Sequence, residues 1–205
     1  MKPELWDIEN ALFNEGFQTV AGVDEAGRGP YAGDVYAAAV ILPQDAVITG
    51  LDDSKKITEK RRELLYDEIV AVAVSYCVAS ASVEEIERLN ILGATYLAMN
   101  RAIEGLTVIP DITLIDGNRS KGVVYPNRCV VGGDAKSASI AAASILAKVS
   151  RDRYMQALAL EYPGYGFEKN KGYGTRAHEA AILELGITPA HRPLFLRKLL
   201  NGRHE

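Results

Sequence analysis

The chain has little cysteine, no long apolar run and no internal repeat, and each lack narrows what it can be. Its two cysteines, Cys77 and Cys129, lie in apolar, strand-like surroundings and match no metal-ligand spacing. Buried free thiols are expected, in keeping with a reducing cytoplasm. No apolar stretch approaches the ~20 residues of a membrane span. The first fourteen residues mix acids with scattered apolar positions and lack the basic-then-apolar order of a secretory leader. A cytoplasmic protein with no membrane partner is the expectation.

What is present is ordinary for a globular chain: 205 residues, 48% hydrophobic and 24% charged, enough for one domain with a proper core. The net charge of −4 speaks weakly against a nucleic-acid partner, but the charge is unevenly spread. From Lys169 onward there are seven lysines and arginines against three acids. Such a local basic region can bind phosphates while the whole remains acidic.

The pattern of apolar residues gives the organisation. Residues 18–23 and 35–42 read as two strands, an antiparallel pair joined by a glycine-rich turn. Thr58 is placed to cap a helix running to about Ala73. A third strand over 74–81 precedes a helical stretch, 82–106, with a break near Asn90. Short strands over 111–116 and 128–131 follow, then a long helix from about Ala135 to Leu160. A Gly/Tyr-rich loop over 162–174 and two helices near 177–185 and 194–200 complete the chain. The order predicts an α/β fold with a mixed sheet whose last strands are joined through helical crossovers.

Chemistry concentrates in Val23-Asp24-Glu25-Ala26-Gly27-Arg28-Gly29-Pro30. Neighbouring side chains on a strand point to opposite faces, so an Asp-Glu pair inside a regular strand sends one acid into the core. The pair is therefore expected where the strand ends. Asp116, before Gly117-Asn118, and Asp134, after Gly132-Gly133, also stand at strand ends, where ligands of open α/β sheets gather. Four crowded carboxylates repel one another unless cations neutralise them. No histidine or cysteine accompanies them, so the expected ion is Mg²⁺ or Mn²⁺. A pair of ions ~3.5–4 Å apart would suit phosphodiester cleavage.

Further segments carry a resemblance that runs from about Val20 to Phe195. They are Asp53-Ser54-Lys55, Ile115-Asp116-Gly117, Gly133-Asp134-Ala135-Lys136-Ser137, Ser144-Ile145-Leu146-Ala147-Lys148-Val149, Gly172-Tyr173-Gly174-Thr175 and His191-Arg192. With the Gly22–Pro30 stretch, they resemble ribonuclease HII, a type 2 ribonuclease H. The resemblance implies a ribonuclease H-like fold, a mixed five-stranded sheet flanked by helices, with residues 1–205 as one catalytic domain. Residues from about 170 to 205 would form its helical, basic, substrate-binding part. It implies a metal-dependent endonuclease acting 5′ to ribonucleotides in RNA/DNA hybrids and at single ribonucleotides in duplex DNA, leaving 3′-hydroxyl and 5′-phosphate ends. Asp24, Glu25, Asp116 and Asp134 match the acidic quartet that holds the metals. Gly27, Arg28 and Gly29 match the segment whose backbone reads the ribose 2′-hydroxyl, and Tyr173 the tyrosine that packs on the following deoxyribose. A monomer is expected, with sliding-clamp association open. Ribonuclease HIII is the nearest alternative, disfavoured because Asp24 lies close to Met1. A non-catalytic nucleic-acid-binding module is a second, against which the four acids argue.

Other candidates carry two readings. Ser137 and Ser139 either pack a helix onto the sheet or hold a phosphate at its N-terminus. Lys55 reads as a phosphate contact through the family match, against a solvated Lys55-Lys56 pair. Asp152 is ~27 Å along a helix from Asp134 and is expected to pair with a nearby arginine. His178 is expected as a cap or on the surface, and His191 as a lock on the C-terminal segment. Leu194 stands where many relatives carry a serine. Residues 194–200 are read as an amphipathic terminal helix in preference to a clamp-binding peptide.

Overall fold

The computed structural model describes residues 5–44, 46–51 and 57–202. Five strands form one sheet: β1 (Val20–Ala26), β2 (Val35–Ile41), β3 (Ser75–Ala81), β4 (Ile112–Asp116) and β5 (Asn127–Val130). Their spatial order is β3-β2-β1-β4-β5. The first three are antiparallel neighbours, whereas β1 with β4 and β4 with β5 run parallel. This is the mixed five-stranded sheet expected, with β1 at its centre.

Among the described residues seven α-helices accompany it: α1 (Asp7–Asn14), α2 (Glu59–Val72), α3 (Val83–Glu104), α4 (Ala138–Glu161), α5 (Phe167–Asn170), α6 (Arg176–Leu185) and α7 (Pro193–Asn201). Local chemistry sets several boundaries. Thr58 accepts from the Arg61 N–H at the start of α2, as expected. Ser82 and Glu85 form a reciprocal capping box on α3. Inside α3 the break falls at Asn90, with φ 59°. Its side-chain oxygen accepts from the Leu92 and Gly93 N–H groups and so caps the second half of the helix. No helix among the described residues is long and apolar enough to cross a membrane.

Period-two alternation divides β1 between two faces. Ala21 and Val23 join α3 in one core, with Ala37 and Ala39 from β2. The other face meets α4, whose Ala141, Ala142 and Ala143 let it lie close against Ala38 and Val40. The closest approach is at Gly22, where an added Cβ would stand 2.0 Å from the Ser139 carbonyl carbon.

Four expectations are corrected. β1 does not stop at the acids but continues to Ala26, because β2 pairs with it past Asp24 and Glu25; only the β4 ladder ends at Val23. Residues Gly133–Ala135 form a separate 3-10 turn, and α4 starts later, capped by Ser137. Neither cysteine is fully buried: Cys77 is half-buried and Cys129 exposed. Helix α1, whose Leu12 packs beneath Ile112 and Leu114, was not anticipated.

Gly22→Ala should displace α4 from the sheet and lower stability by about 1–3 kcal/mol, the usual range for overpacking. Thermal and urea unfolding of the variant would measure it.

Candidate active site

The pleat of β1 decides where its two acids go. Asp24 follows Gly22 on the face covered by α4 and is 6% exposed. Glu25 points the other way, and Arg28 binds it at 3.2 Å. The burial of Asp24 is tolerable because donors meet it: its Oδ1 accepts from the Glu25 N–H at 2.7 Å, and Ser144 of α4 hydrogen-bonds to it. Burial, followed by the negative charges of Glu25 and Asp116, nevertheless raises its carboxyl well above the usual range.

Asp116 ends β4 next to β1. Its Oδ1 accepts from the Gly133 N–H at 2.7 Å, tying the strand end to the 3-10 turn that carries Asp134, itself 8% exposed. The sequence-predicted acids thus gather at one end of the central strands. Among the described residues, no three carboxylate, imidazole or thiolate side chains stand ready-made around a single metal position. Arg28 pairs with Glu25 and the Gly133 N–H holds Asp116, yet both negative charges still act on Asp24. The donor set is all oxygen, and the raised Asp24 carboxyl marks a place where added positive charge would be stabilising. Both features fit a hard divalent cation.

Two cavities flank the Glu25–Arg28 pair. One, of about 270 Å³, is walled by Asp24, residues 26–29, Ser144, Lys148, Arg151 and Tyr173. The other, of about 250 Å³, lies toward Asp116, Asn118, Arg119 and Tyr96. The Tyr173 ring lies over Gly29, where an added Cβ would stand 3.8 Å from it. Ser144 and Lys148 belong to a segment quoted above for its resemblance, yet their part in this cavity was not read from the sequence. Lys148 donates to both Asp152 oxygens at 2.5 and 2.7 Å. Asp152 thus has the nearby arginine expected for it, Arg62 at 3.9 Å, and a closer cationic partner in Lys148.

The turn after β1 is held from behind by Arg192, fully buried at the start of α7. Its guanidinium donates to the carbonyls of Gly27 (2.7 Å), Arg28 (3.1 Å), Pro30 (3.0 Å) and Gly33 (2.8 Å from Nε). In a planar trans peptide each C=O opposes the next N–H. Carbonyls drawn inward therefore turn the Arg28 and Gly29 amides outward, to the cavity. The same rule sends the Tyr31 N–H out to the Gly172 carbonyl at 2.8 Å. Gly27 takes φ +95°, a conformation side chains rarely adopt, and an added Cβ would strike the Arg151 side chain.

Asp24, Glu25, Gly27, Arg28, Gly29, Ser144, Lys148 and Tyr173, all from segments that carried the resemblance, line one cavity. The sequence profile of Ribonuclease HII matches residues 21–198. The chain belongs to the ribonuclease HII family. It is 52% identical over 196 residues to a ribonuclease HII of Endomicrobium trichonymphae, covering 95% of this chain and 93% of that protein. Among solved structures, a ribonuclease H2 from Pyrococcus horikoshii OT3 superposes with a TM-score of 0.76 at 26% identity, covering 92% of this chain and all of that one. Bst RNase HIII in complex with Mn²⁺ shares the fold at 18% identity, with a TM-score of 0.68 over 91% of this chain and 70% of that one.

Other ribonuclease HII-like assignments need correction or stand apart. Ser137 and Ser139 are 0% and 1% exposed, and both hydroxyls donate to Glu9 Oε1 of α1 at 2.6 Å, joined by the Ser139 N–H at 3.0 Å. They dock α1 onto α4 and present no surface to a phosphate. Lys55 lies outside the described residues. Arg192 is withdrawn from the basic C-terminal part, since its charge serves the turn. His178 is not a surface residue but fully buried, and His191 is buried beside it.

Burial, together with the nearness of His178, pushes His191 down to about 4, and burial lowers His178 as well. An unfolded chain takes up these protons near pH 6.5, whereas the folded one resists until lower pH. Between those values the unfolded state binds more protons, so these groups make stability fall as pH falls. His191→Gln should lessen that slope by up to about 1.4 kcal/mol per pH unit between pH 6 and 4.5. Urea titrations of both proteins at several pH values would check it.

Proposed function

We propose that the chain hydrolyses the phosphodiester on the 5′ side of ribonucleotides in RNA/DNA hybrids and at single ribonucleotides within duplex DNA. The observation that carries this reading is the pair of outward Arg28 and Gly29 amides, set between buried Asp24 and the ring of Tyr173. Only the 2′-hydroxyl distinguishes ribose from deoxyribose, and a glycine-flanked backbone lets a sugar approach closely enough to be read.

In this reading the Arg28 and Gly29 amides hold the ribose 2′-oxygen, placing the phosphate on its 5′ side at Asp24. Tyr173 packs on the next sugar and fixes the direction of the strand. Lys148 brings positive charge to the cavity wall, kept in place by Asp152. Ribonuclease H enzymes use divalent metals, and Asp24, Glu25, Asp116 and Asp134 are the residues that would hold Mg²⁺ or Mn²⁺ here. When bound, such ions polarise the phosphoryl oxygens and lower the pKa of an attacking water. Water oxygen joins phosphorus, the P–O3′ bond breaks, and the upstream sugar leaves as a 3′-hydroxyl. The 5′-phosphate stays on the ribonucleotide. The 2′-hydroxyl being read adjoins the phosphate on its own 3′ side, so it is not the nucleophile for this cut. The exposed cations of the C-terminal part, Lys169, Arg176 and Lys198 among them, supply phosphate contacts along the duplex.

Asp24→Asn tests the site. It keeps the side chain's volume, its acceptor for the Glu25 N–H and a partner for Ser144, and removes the charge a cation needs. Cleavage of a duplex with one ribonucleotide should vanish in saturating Mg²⁺. In EDTA the same variant should melt about 2–4 °C higher, since a desolvated, repelled carboxylate is gone. Substantial activity would refute the ligand assignment.

Tyr173→Ala should lower kcat/KM at a single embedded ribonucleotide more than within continuous RNA. The ring gains most on a sugar without a 2′-hydroxyl, and a lost transition-state contact reads out as a ratio between substrates. Equal losses, accompanied by a lower melting temperature, would make Tyr173 a packing residue.

A further inference from the structure

Behind Tyr173 two imidazoles meet in a closed apolar setting. His178 of α6 and His191, just before α7, are 0% and 1% exposed, with their Nε2 atoms 3.2 Å apart. Tyr165 meets the His191 ring edge-on at 4.9 Å between centroids, and Phe167 meets His178 edge-on at 5.4 Å. At the outer ends, His178 Nδ1 lies 2.9 Å from the Tyr173 carbonyl oxygen, and His191 Nδ1 lies 3.0 Å from the Thr188 backbone nitrogen.

The partners settle both tautomers. A carbonyl can only accept, so His178 carries its proton on Nδ1. That leaves His178 Nε2 bare, so the His191 Nε2 facing it carries the proton, and His191 Nδ1 is left to accept from the Thr188 N–H and from the Thr188 hydroxyl, whose oxygen lies 2.9 Å away. His191 Nε2–H then donates to the bare Nε2 of His178. The result is a one-way chain of neutral imidazoles: Thr188 N–H to His191, His191 to His178, His178 to the Tyr173 carbonyl. A second proton on either ring would set two donors facing each other.

We propose that His178 and His191 are positioning residues that fix the Tyr173 backbone, and hence its ring over Gly29, to discriminate deoxyribose from ribose after the scissile bond. The neighbour of His191 in sequence is Arg192, which holds the opposite wall of the cavity, the Gly27–Gly33 turn. One dipeptide therefore sets the register of both walls. Tyr173 needs this support because its ring is 46% exposed and its loop includes Lys171 and Gly172, both at positive φ. The discriminating part of the inference rests on the reading of Tyr173 given above; the imidazole chain does not.

The experiment compares kcat/KM on a single-ribonucleotide duplex and a continuous hybrid for His178→Phe, His178→Asn, Tyr173→Ala and the Tyr173→Ala/His178→Phe double variant. Phenylalanine keeps the ring volume and removes the donor; asparagine keeps an N–H close to the place of Nδ1. His178→Phe should lower the single-to-hybrid ratio about fivefold, His178→Asn should restore it to within about twofold, and the double variant should fall no further than Tyr173→Ala. Equal losses on both substrates, or additive effects in the double variant, would overturn the proposal. If Tyr173→Ala moves the ratio and folded His178→Phe does not, the positioning role fails while the Tyr173 reading stands. If Tyr173→Ala leaves the ratio unmoved, the Tyr173 reading fails and takes the discriminating role with it. Imidazole ¹⁵N spectra of the wild-type protein decide the chain even if the phenylalanine variant does not fold. Protons on His178 Nδ1 and His191 Nε2 support it, and Nε2 protonation of both rings overturns it.

Discussion

A guanidinium has five N–H donors and no acceptor, and Arg192 directs its own at four main-chain carbonyls of the turn between β1 and β2. Burying a lone charge this completely would be strongly unfavourable. Carbonyl dipoles converging on the cation offset that cost, and no side-chain carboxylate is needed among them. Because each peptide is planar, fixing the carbonyls fixes the amides on their far side. A turn rich in glycine would otherwise sample many backbone states. Arg151 braces the adjoining stretch in the same way, donating to the carbonyls of Ala32, Asp34 and Lys171. Since Lys171 leads to Tyr173, two buried arginines connect the glycine turn, the tyrosine loop and the start of α7.

The second constraint is electrostatic, and it comes from the pleat of the sheet. Asp24 is where it is because Gly22, two residues earlier on the same face, lets α4 come against β1. That closeness brings Ser144 to the carboxylate and excludes most of the water around it. The Asp116 charge is added from the parallel neighbour β4, whose ladder with β1 ends at Val23. The packing that stabilises the fold thus creates an anionic site whose ionised form is disfavoured. Such frustration is stable only because the rest of the core over-determines the geometry. A cation bound there would relieve it, and its affinity would then depend on the same packing.

Much of this could be read in the sequence, and what could not has one physical origin. Thr58 as a helix cap, the break at Asn90, the antiparallel pairing of the first two strands and the grouping of Asp24, Glu25 and Asp116 follow from local pattern or from general rules for α/β sheets. The extent of β1 was misjudged because pairing with β2 extends it past the acids, and nothing in the local pattern reports a partner strand. From its place at a helix start His178 reads as a surface or capping residue, yet Tyr165, Phe167 and His191 cover it from other elements. Ser137 and Ser139 look like a phosphate cradle until Glu9, more than a hundred residues away in sequence, occupies both hydroxyls. Arg192 was counted with the basic tail because charge in a sequence carries no sign of burial. In each case a long-range partner outweighed the local signal.

The arrangement also bears on how a 2′-hydroxyl can be read at all. Arg28 and Gly29 are exposed, so a sugar hydroxyl reaching their amides would compete with water. A hydrogen bond that merely replaces one to water is worth only about 0.5–1.5 kcal/mol, roughly tenfold in an equilibrium. Far larger discrimination arises when a site built for a hydroxyl is closed to water and meets a sugar without one, leaving its donors unpaired. The amides alone therefore cannot separate ribose from deoxyribose strongly; the wall that covers them must also be in place. On the proposed reading Tyr173 would be that wall, lying over Gly29 on a loop joined to the glycine turn through Tyr31 and Gly172. On the same reading, rigid amides would supply the recognition, and a correctly held ring would determine how much of it survives competition from water.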